Sequence, residues 1–171
     1  AVGDSLAEAY RQALACDPVS AFGGIVGCNR EVDIATAEQI AEIFTEVVIA
    51  PSFSEEALER LKRKKNLRLL ATGEFTPRYA EPMIRSFVGG FLVQDRDISF
   101  VPREKWRRVT EAGLESEEDL DGLEFAWRVA KWVKSNAVVI TTRTATVGIG
   151  AGQMSRVDSM RLAVEKARSP I

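Results

Sequence analysis

The stretch EVVIAPSFSEEALERLKRKKNLRLL, Glu46 to Leu70, decides the fold class. EVVIA is mostly apolar and stops at Pro51, which has no backbone N–H to give a ladder. Ser54 stands where a hydroxyl caps a helix. EEALERLKRKK follows it and closes on Lys62-Arg63-Lys64-Lys65, cations that complement the dipole at a helix C-terminus. LRLLATG is again mostly apolar. Neither strand alternates apolar with polar, the pattern expected of strands buried on both faces. Two such strands joined through a helix predict a parallel crossover, so the chain is expected to be α/β.

Upstream, SLAEAYRQALAC (5–16) carries Leu6, Tyr10 and Leu14 at four-residue spacing on one helical face. Asp17-Pro18 ends it, because a residue before proline avoids the α region. SAFGGIVGC then supplies a loop and a short buried strand, Ile25 to Cys28. Thr36 with Gln39 forms a capping-box pattern that predicts a helix through Phe44. Downstream, RSFVGGFLVQD reads as one strand with Gly89-Gly90 as a bulge. Residues 103–115 are polar and read as a connector, and the subdomain boundary is expected near residue 110. SEEDLDGLEFAWRVAKWVKS predicts a long helix, with Leu120, Leu123, Trp127, Ala130 and Val133 near the 3.6 period. Asn136 leads into the strand AVVIT, a turn at Thr142 to Ala145, and TVGIG closing a hairpin. Ser155 caps a last helix that stops at Ser169-Pro170. The whole predicts a three-layer α/β/α fold with a mixed or mostly parallel sheet.

The 171-residue chain is 46% hydrophobic and 28% charged, with a net charge of −2. That supplies a sizeable core for one or two compact units. Without a basic excess, nucleic acid is not an expected partner. No apolar run approaches the ~20 residues of a membrane span, and no signal-peptide pattern opens the chain. Cys16 and Cys28 show neither metal spacing nor a disulfide framework, which predicts a reduced, intracellular protein. The zinc-deaminase signature, H-x-E followed by P-C-x-x-C, is absent. There are no histidines, which removes the usual general base and every Ser-His or Cys-His pair. Proton transfer would need a shifted Lys, Asp, Glu or Cys, or a residue outside this chain. The chain opens on Ala1 rather than Met and reads as a piece of something longer.

VGIGAGQMSRVDS, Val147 to Ser159, sets glycine at 148, 150 and 152 ahead of a Ser-Arg pair. Glycine packs nothing and loses the most freedom on folding, so two readings stand. In one, a strand-to-helix turn offers backbone N–H groups to a phosphate or carboxylate, with Arg156 beside the helix N-terminus. In the other, a hairpin packs closely on a helix and selects glycine for space. The spacing is neither a Walker loop nor G-x-G-x-x-G. Asn136 is either an amide aimed at a polar ligand or an ordinary helix end that tolerates a left-handed backbone. Gly23, after Phe22, either lets a ligand ring reach the backbone or makes a tight approach to the sheet. Glu46 either binds ribose hydroxyls or sits solvated at the sheet rim.

DPVSAFGGIV, EVVIAP, KKNLRLL, KSNAVVI and VGIGAGQMSRVDS follow one another along the chain. In that order they resemble the bifunctional family that joins AICAR transformylase to IMP cyclohydrolase in purine (IMP) biosynthesis. The resemblance spans nearly all of residues 1–170 and lies within the transformylase portion. It implies formyl transfer from the co-substrate 10-formyltetrahydrofolate to the amine of AICAR, giving FAICAR, with no metal required. It implies a cytidine deaminase-like fold, duplicated and without zinc. Residues 1–108 would be the first subdomain, lacking its N-terminal part, and 109–171 the start of the second. It implies a cytoplasmic homodimer with active sites at the subunit interface. Gly23, Glu46, Asn136 and Arg156 match AICAR-binding positions. Val157 matches a position beside the folate, and Phe22, Ser135, Gly152 and Ser155 would support the pocket.

The family's catalytic Lys-His pair falls before the segment that resembles Ala1-Val2-Gly3-Asp4, so no catalytic residue is expected here. In the family the histidine takes the proton of the weakly nucleophilic AICAR amine, and the lysine stabilises charge developing on the formyl group. Further folate contacts, another histidine and the cyclohydrolase domain also lie outside this chain. Trp132 in KWVKSN stands where related sequences often carry histidine. The chain alone is therefore expected to hold part of the AICAR pocket without turnover. Two other readings stand beside this one: a non-catalytic nucleotide-binding module, and a dimerisation segment whose contribution is interface.

Overall fold

The structure is a computed structural model that describes residues 1–75, 81–113 and 116–168. Its first elements are α1 (Leu6–Cys16), β1 (Gly24–Gly27), α2 (Ile34–Ile40), β2 (Thr45–Ala50), α3 (Glu55–Lys62) and β3 (Arg68–Ala71). The three strands pair in parallel in the order β1-β2-β3, with Val48 flanked by Val26 and Leu69. This is the crossover that Glu46 to Leu70 dictates. A strand order that advances one way through crossovers of one hand puts both helices on the same face. Accordingly, α2 and α3 pack on each other. Ile40, Val48, Ala57 and Leu61 form the dry centre of that face, each at most 1% exposed.

Local chemistry sets the helix ends. Ser5 and Ser54 cap α1 and α3, their hydroxyls accepting the N–H of Glu8 at 3.1 Å and of Ala57 at 3.2 Å. The expected Thr36–Gln39 box does not cap α2. Asp33 does, its carboxylate accepting the Thr36 N–H at 2.8 Å. Thr36 turns inward instead, and its Oγ1 is buried. The helix also stops at Ile40 rather than reaching Phe44. Glu42 N–H bonds back three residues to Gln39 O at 3.2 Å, a tight final turn that returns the chain to set Thr45 beside Gly24.

RSFVGGFLVQD, expected as a single strand, belongs to a hairpin. β4 (Met83–Phe87) and β5 (Gly90–Gln94) pair antiparallel with Phe87 opposite Gly90. Gly89 takes φ +95°, which reverses the chain instead of bulging it. One 3₁₀ turn, Arg103–Lys105, lies in the expected connector. α4 (Glu117–Ala130) opens on a capping box in which Ser116 and Asp119 serve each other's N–H groups. It ends short of Ser135. Trp132 and Val133 donate three residues back, to Val129 O at 2.9 Å and Ala130 O at 3.1 Å, and so wind off the helix. β6 (Val138–Thr141) and β7 (Thr146–Gly150) form the expected hairpin, and α5 (Arg156–Arg168) follows. The helix stop expected at Ser169-Pro170 lies outside the described residues.

Contacts divide the chain into two compact units, residues 1–73 with 114–171, and residues 74–113. Within the first, α1 is tied to the β6–β7 turn and to α5. Val2 N–H donates to Thr144 O at 2.7 Å, Thr144 Oγ1 to Gln12 Oε1 at 3.2 Å, and Lys166 Nζ to Asp17 Oδ2 at 2.5 Å. Parallel and antiparallel pairing together make a mixed α/β fold. Among the described residues no helix is long and apolar enough to cross a membrane.

Candidate functional site

The three glycines of Val147 to Ser159 have two different causes. α5 lies directly on β7. A Cβ on Gly148 would sit 2.1 Å from Ala163 O, and one on Gly150 would sit 1.9 Å from Ser159 O. Both obstacles are backbone atoms, so close packing accounts for these two residues. Gly152 has open space around it and φ +68°, so it makes the turn. Its N–H donates to Lys134 O at 2.8 Å, which ties the turn to the chain just before Ser135.

Asn136 sits beside that turn and grips it. Its backbone N–H donates to Gln153 O at 3.1 Å. Its Nδ2 donates to Gln153 O at 2.9 Å and to Met154 O at 2.8 Å. Its own carbonyl accepts the Ser159 hydroxyl at 2.8 Å. Both amide protons are thus committed, and Oδ1 alone remains to accept from a ligand. Asn136 is not left-handed, since positive φ among the described residues occurs only at glycine. The Ser135–Asn136 peptide bond is cis.

The grip fixes the start of α5. Ser155 Oγ accepts the Val157 N–H at 3.1 Å, which caps the helix as expected. Arg156 is exposed and has no ion-pair partner among the described residues. A helix N-terminus and an unpaired guanidinium together suit an anion. Met154, Val157 and Met160, three residues apart, are all at least half exposed and give this helix end an apolar flank. Ser135, Asn136, Gly152, Ser155, Arg156 and Val157 are therefore brought together.

Phe22, Gly23 and Glu46 form a second group where β1 and β2 begin. Gly23 takes φ +74° and donates its N–H to Phe44 O at 2.8 Å, which makes it a tight approach to the sheet. The Phe22 and Phe44 rings lie 5.3 Å apart. Glu46 is exposed, and its carboxylate has no partner among the described residues. No hydrogen bond joins this group to the first among the described residues. A cleft of about 400 Å³ between α1 and β1 is lined by Leu6, Tyr10, Leu14, Ile25 and Cys28. Burial pushes the Cys28 thiol and the Tyr10 phenol above their ordinary pKa values, with Glu42 and Cys28 adding to the Tyr10 shift. A thiol so placed is a packing group and not a nucleophile. Among the described residues no cluster of three or more metal-ligating side chains occurs.

Ser159 is the residue that sequence reasoning passed over. It is 0% exposed, and its hydroxyl reaches across to the Asn136 carbonyl. The available signal was its place one helical turn after Ser155.

A family profile described as "AICARFT/IMPCHase bienzyme" matches residues 1–166. The chain belongs to that family. Over 168 residues it is 57% identical to the bifunctional purine biosynthesis protein PurH of Chelativorans sp. (strain BNC1), covering 98% of this chain and 31% of that protein. To the PurH of Sorangium cellulosum (strain So ce56) it is 52% identical over 168 residues, covering 98% and 32%. To that of Anoxybacillus flavithermus (strain DSM 21510 / WK1) it is 50% identical over 166 residues, covering 97% and 32%. The chain thus spans about a third of the length of these family members.

Proposed function

We propose that this chain is part of a transferase of purine (IMP) biosynthesis that moves a formyl group from 10-formyltetrahydrofolate to AICAR, giving FAICAR. The observation that carries this reading is the grip of Asn136 on Gln153 and Met154. It holds an accepting Oδ1, an unpaired Arg156 and an exposed apolar Val157 on one rigid corner. Such a corner suits a ligand with an anionic group, N–H donors and an apolar neighbour. AICAR, with its phosphate, amine and carboxamide, meets the first two requirements, and a pterin beside Val157 meets the third. Gly23 and Glu46 would contribute the sheet-rim part of the AICAR pocket, with Phe22, Ser135, Gly152 and Ser155 as its support.

The Lys-His pair that performs proton transfer and charge stabilisation in the family would come from outside this chain, so the chain alone binds in part and does not turn over. On this reading residues 1–108 and 109–171 belong to two cytidine deaminase-like subdomains. The full-length protein is a cytoplasmic homodimer that also carries the cyclohydrolase activity. The β4–β5 hairpin favours a second role in association. Ile84, Phe91 and Val93 share one of its faces, and each is more than 60% exposed.

Calorimetric titration of the full-length protein with AICAR tests the proposal. A charge-assisted hydrogen bond is worth roughly 1.5–3 kcal/mol, so Arg156→Ala is expected to weaken binding about tenfold or more. An unchanged affinity would remove Arg156 from the site.

A further inference from the structure

We infer that Ser159 is a positioning residue for this site, setting the spacing between Asn136 and Arg156. The inference rests on the reading that both contact AICAR. A serine inside a helix ordinarily bonds back to the carbonyl four residues earlier. Ser159 has that option in Ser155 O, but at 3.4 Å, whereas Asn136 O accepts its hydroxyl at 2.8 Å. The shorter bond is the one that leaves the helix. At 2.8 Å against 3.4 Å, the Asn136 carbonyl is the better-placed acceptor for the single proton.

The same residue touches the other side of the corner. The Ser159 carbonyl lies where a Cβ of Gly150 would be, so β7 and α5 meet at this residue without a side chain between them. Ser159 therefore fixes α5 to the end of β7 through its backbone, and to Asn136 through its hydroxyl. Arg156 is three residues earlier on the same helix, so its place relative to Asn136 Oδ1 follows from these two contacts together with the hydrogen bonds of Asn136 to Gln153 and Met154. Because Ser159 is 0% exposed, no water replaces the hydroxyl when it is removed. The Asn136 segment is then held to the start of α5 only through Gln153 and Met154, and its spacing from Arg156 relaxes. Val157 belongs to α5 and stays with it, so the folate side of the corner is not displaced.

Steady-state formyl transfer by the full-length protein tests this with Ser159→Ala, Ser159→Cys and Arg156→Ala. Ser159→Ala is expected to raise KM for AICAR about tenfold and leave KM for 10-formyltetrahydrofolate within about twofold. Ser159→Cys, with a weaker donor of similar size, is expected to fall between at about threefold. A loosened fold would move both KM values together, and equal changes in the two overturn the inference. So does an unchanged KM for AICAR in Ser159→Ala. If the alanine variant does not fold, the cysteine variant decides in the same way, and a KM for AICAR equal to the unmodified enzyme's overturns the inference. Arg156→Ala separates the two levels. No effect there overturns the site assignment itself, whereas an effect there with none at Ser159 overturns only the role of Ser159.

Discussion

A methyl group on Gly150 would have to occupy a place 1.9 Å from the Ser159 carbonyl oxygen, and neither β7 nor α5 has a flexible side chain there to yield. Gly152, two residues away in sequence, has room for a methyl group and an unfavourable φ of +68° instead. Gly150→Ala is therefore expected to destabilise by about 3 kcal/mol or more, and Gly152→Ala by about 1–2 kcal/mol. Urea midpoints of the two variants check this, and equal losses would contradict the packing account of Gly150. The sequence showed three glycines before a Ser-Arg pair but not which needed space and which needed φ. Space is a relation between a strand and the helix after it, and no local pattern contains it. The same holds for Asn136. Its place at a helix-to-strand junction was legible, but the commitment of both amide protons to Gln153 and Met154 depends on a turn 17 residues later.

Among the elements, α1 and α5 are joined end to end by Asp17 and Lys166. The hydrogen bond from Lys166 holds the Asp17 carboxyl below its ordinary value of 3.8, against the opposing effect of burial. Hydrogen bonding from Thr36, through its side chain and its backbone N–H, does the same for Asp33 at the start of α2. A carboxyl whose folded pKa is depressed binds fewer protons folded than unfolded. Its contribution is complete above pH 3.8 and is lost as pH falls through the folded value. With side-chain exposures of 39% and 26%, the Lys166–Asp17 pair is worth at most about 1 kcal/mol. Urea midpoints are expected to fall more steeply below pH 3.8 in the unmodified protein than in Asp17→Asn, which keeps the slope due to Asp33. Parallel curves would show that the pair contributes nothing. The caps at Ser54 and Ser155 were legible because each precedes its helix by one residue, whereas Ser5 and Ser116 were read as the first residues of helices that they in fact cap. The cap on α2 was misread because Thr36 and Gln39 fit a capping box while Asp33, three residues earlier, holds the better acceptor. The β4–β5 hairpin was misread for a similar reason: Gly89-Gly90 fits both a bulge and a turn, and only the pairing partner distinguishes them.

For the whole molecule, the parallel crossover from Glu46 to Leu70 and the ordered motifs made both fold class and family legible, because both are written in contiguous residues. The site was legible only as residue types. Which of them meet, and that Ser159 braces them, depends on tertiary pairing. The chain spans about a third of its PurH relatives, whose two activities make one question decisive. On the proposed function, this third serves formyl transfer and not cyclisation. Arg156→Ala in the full-length protein separates the two, with FAICAR formation and FAICAR cyclisation assayed on the same preparation. The expected result is at least about a tenfold loss in kcat/KM for formyl transfer, with cyclisation unchanged. Loss of cyclisation with formyl transfer intact would contradict it.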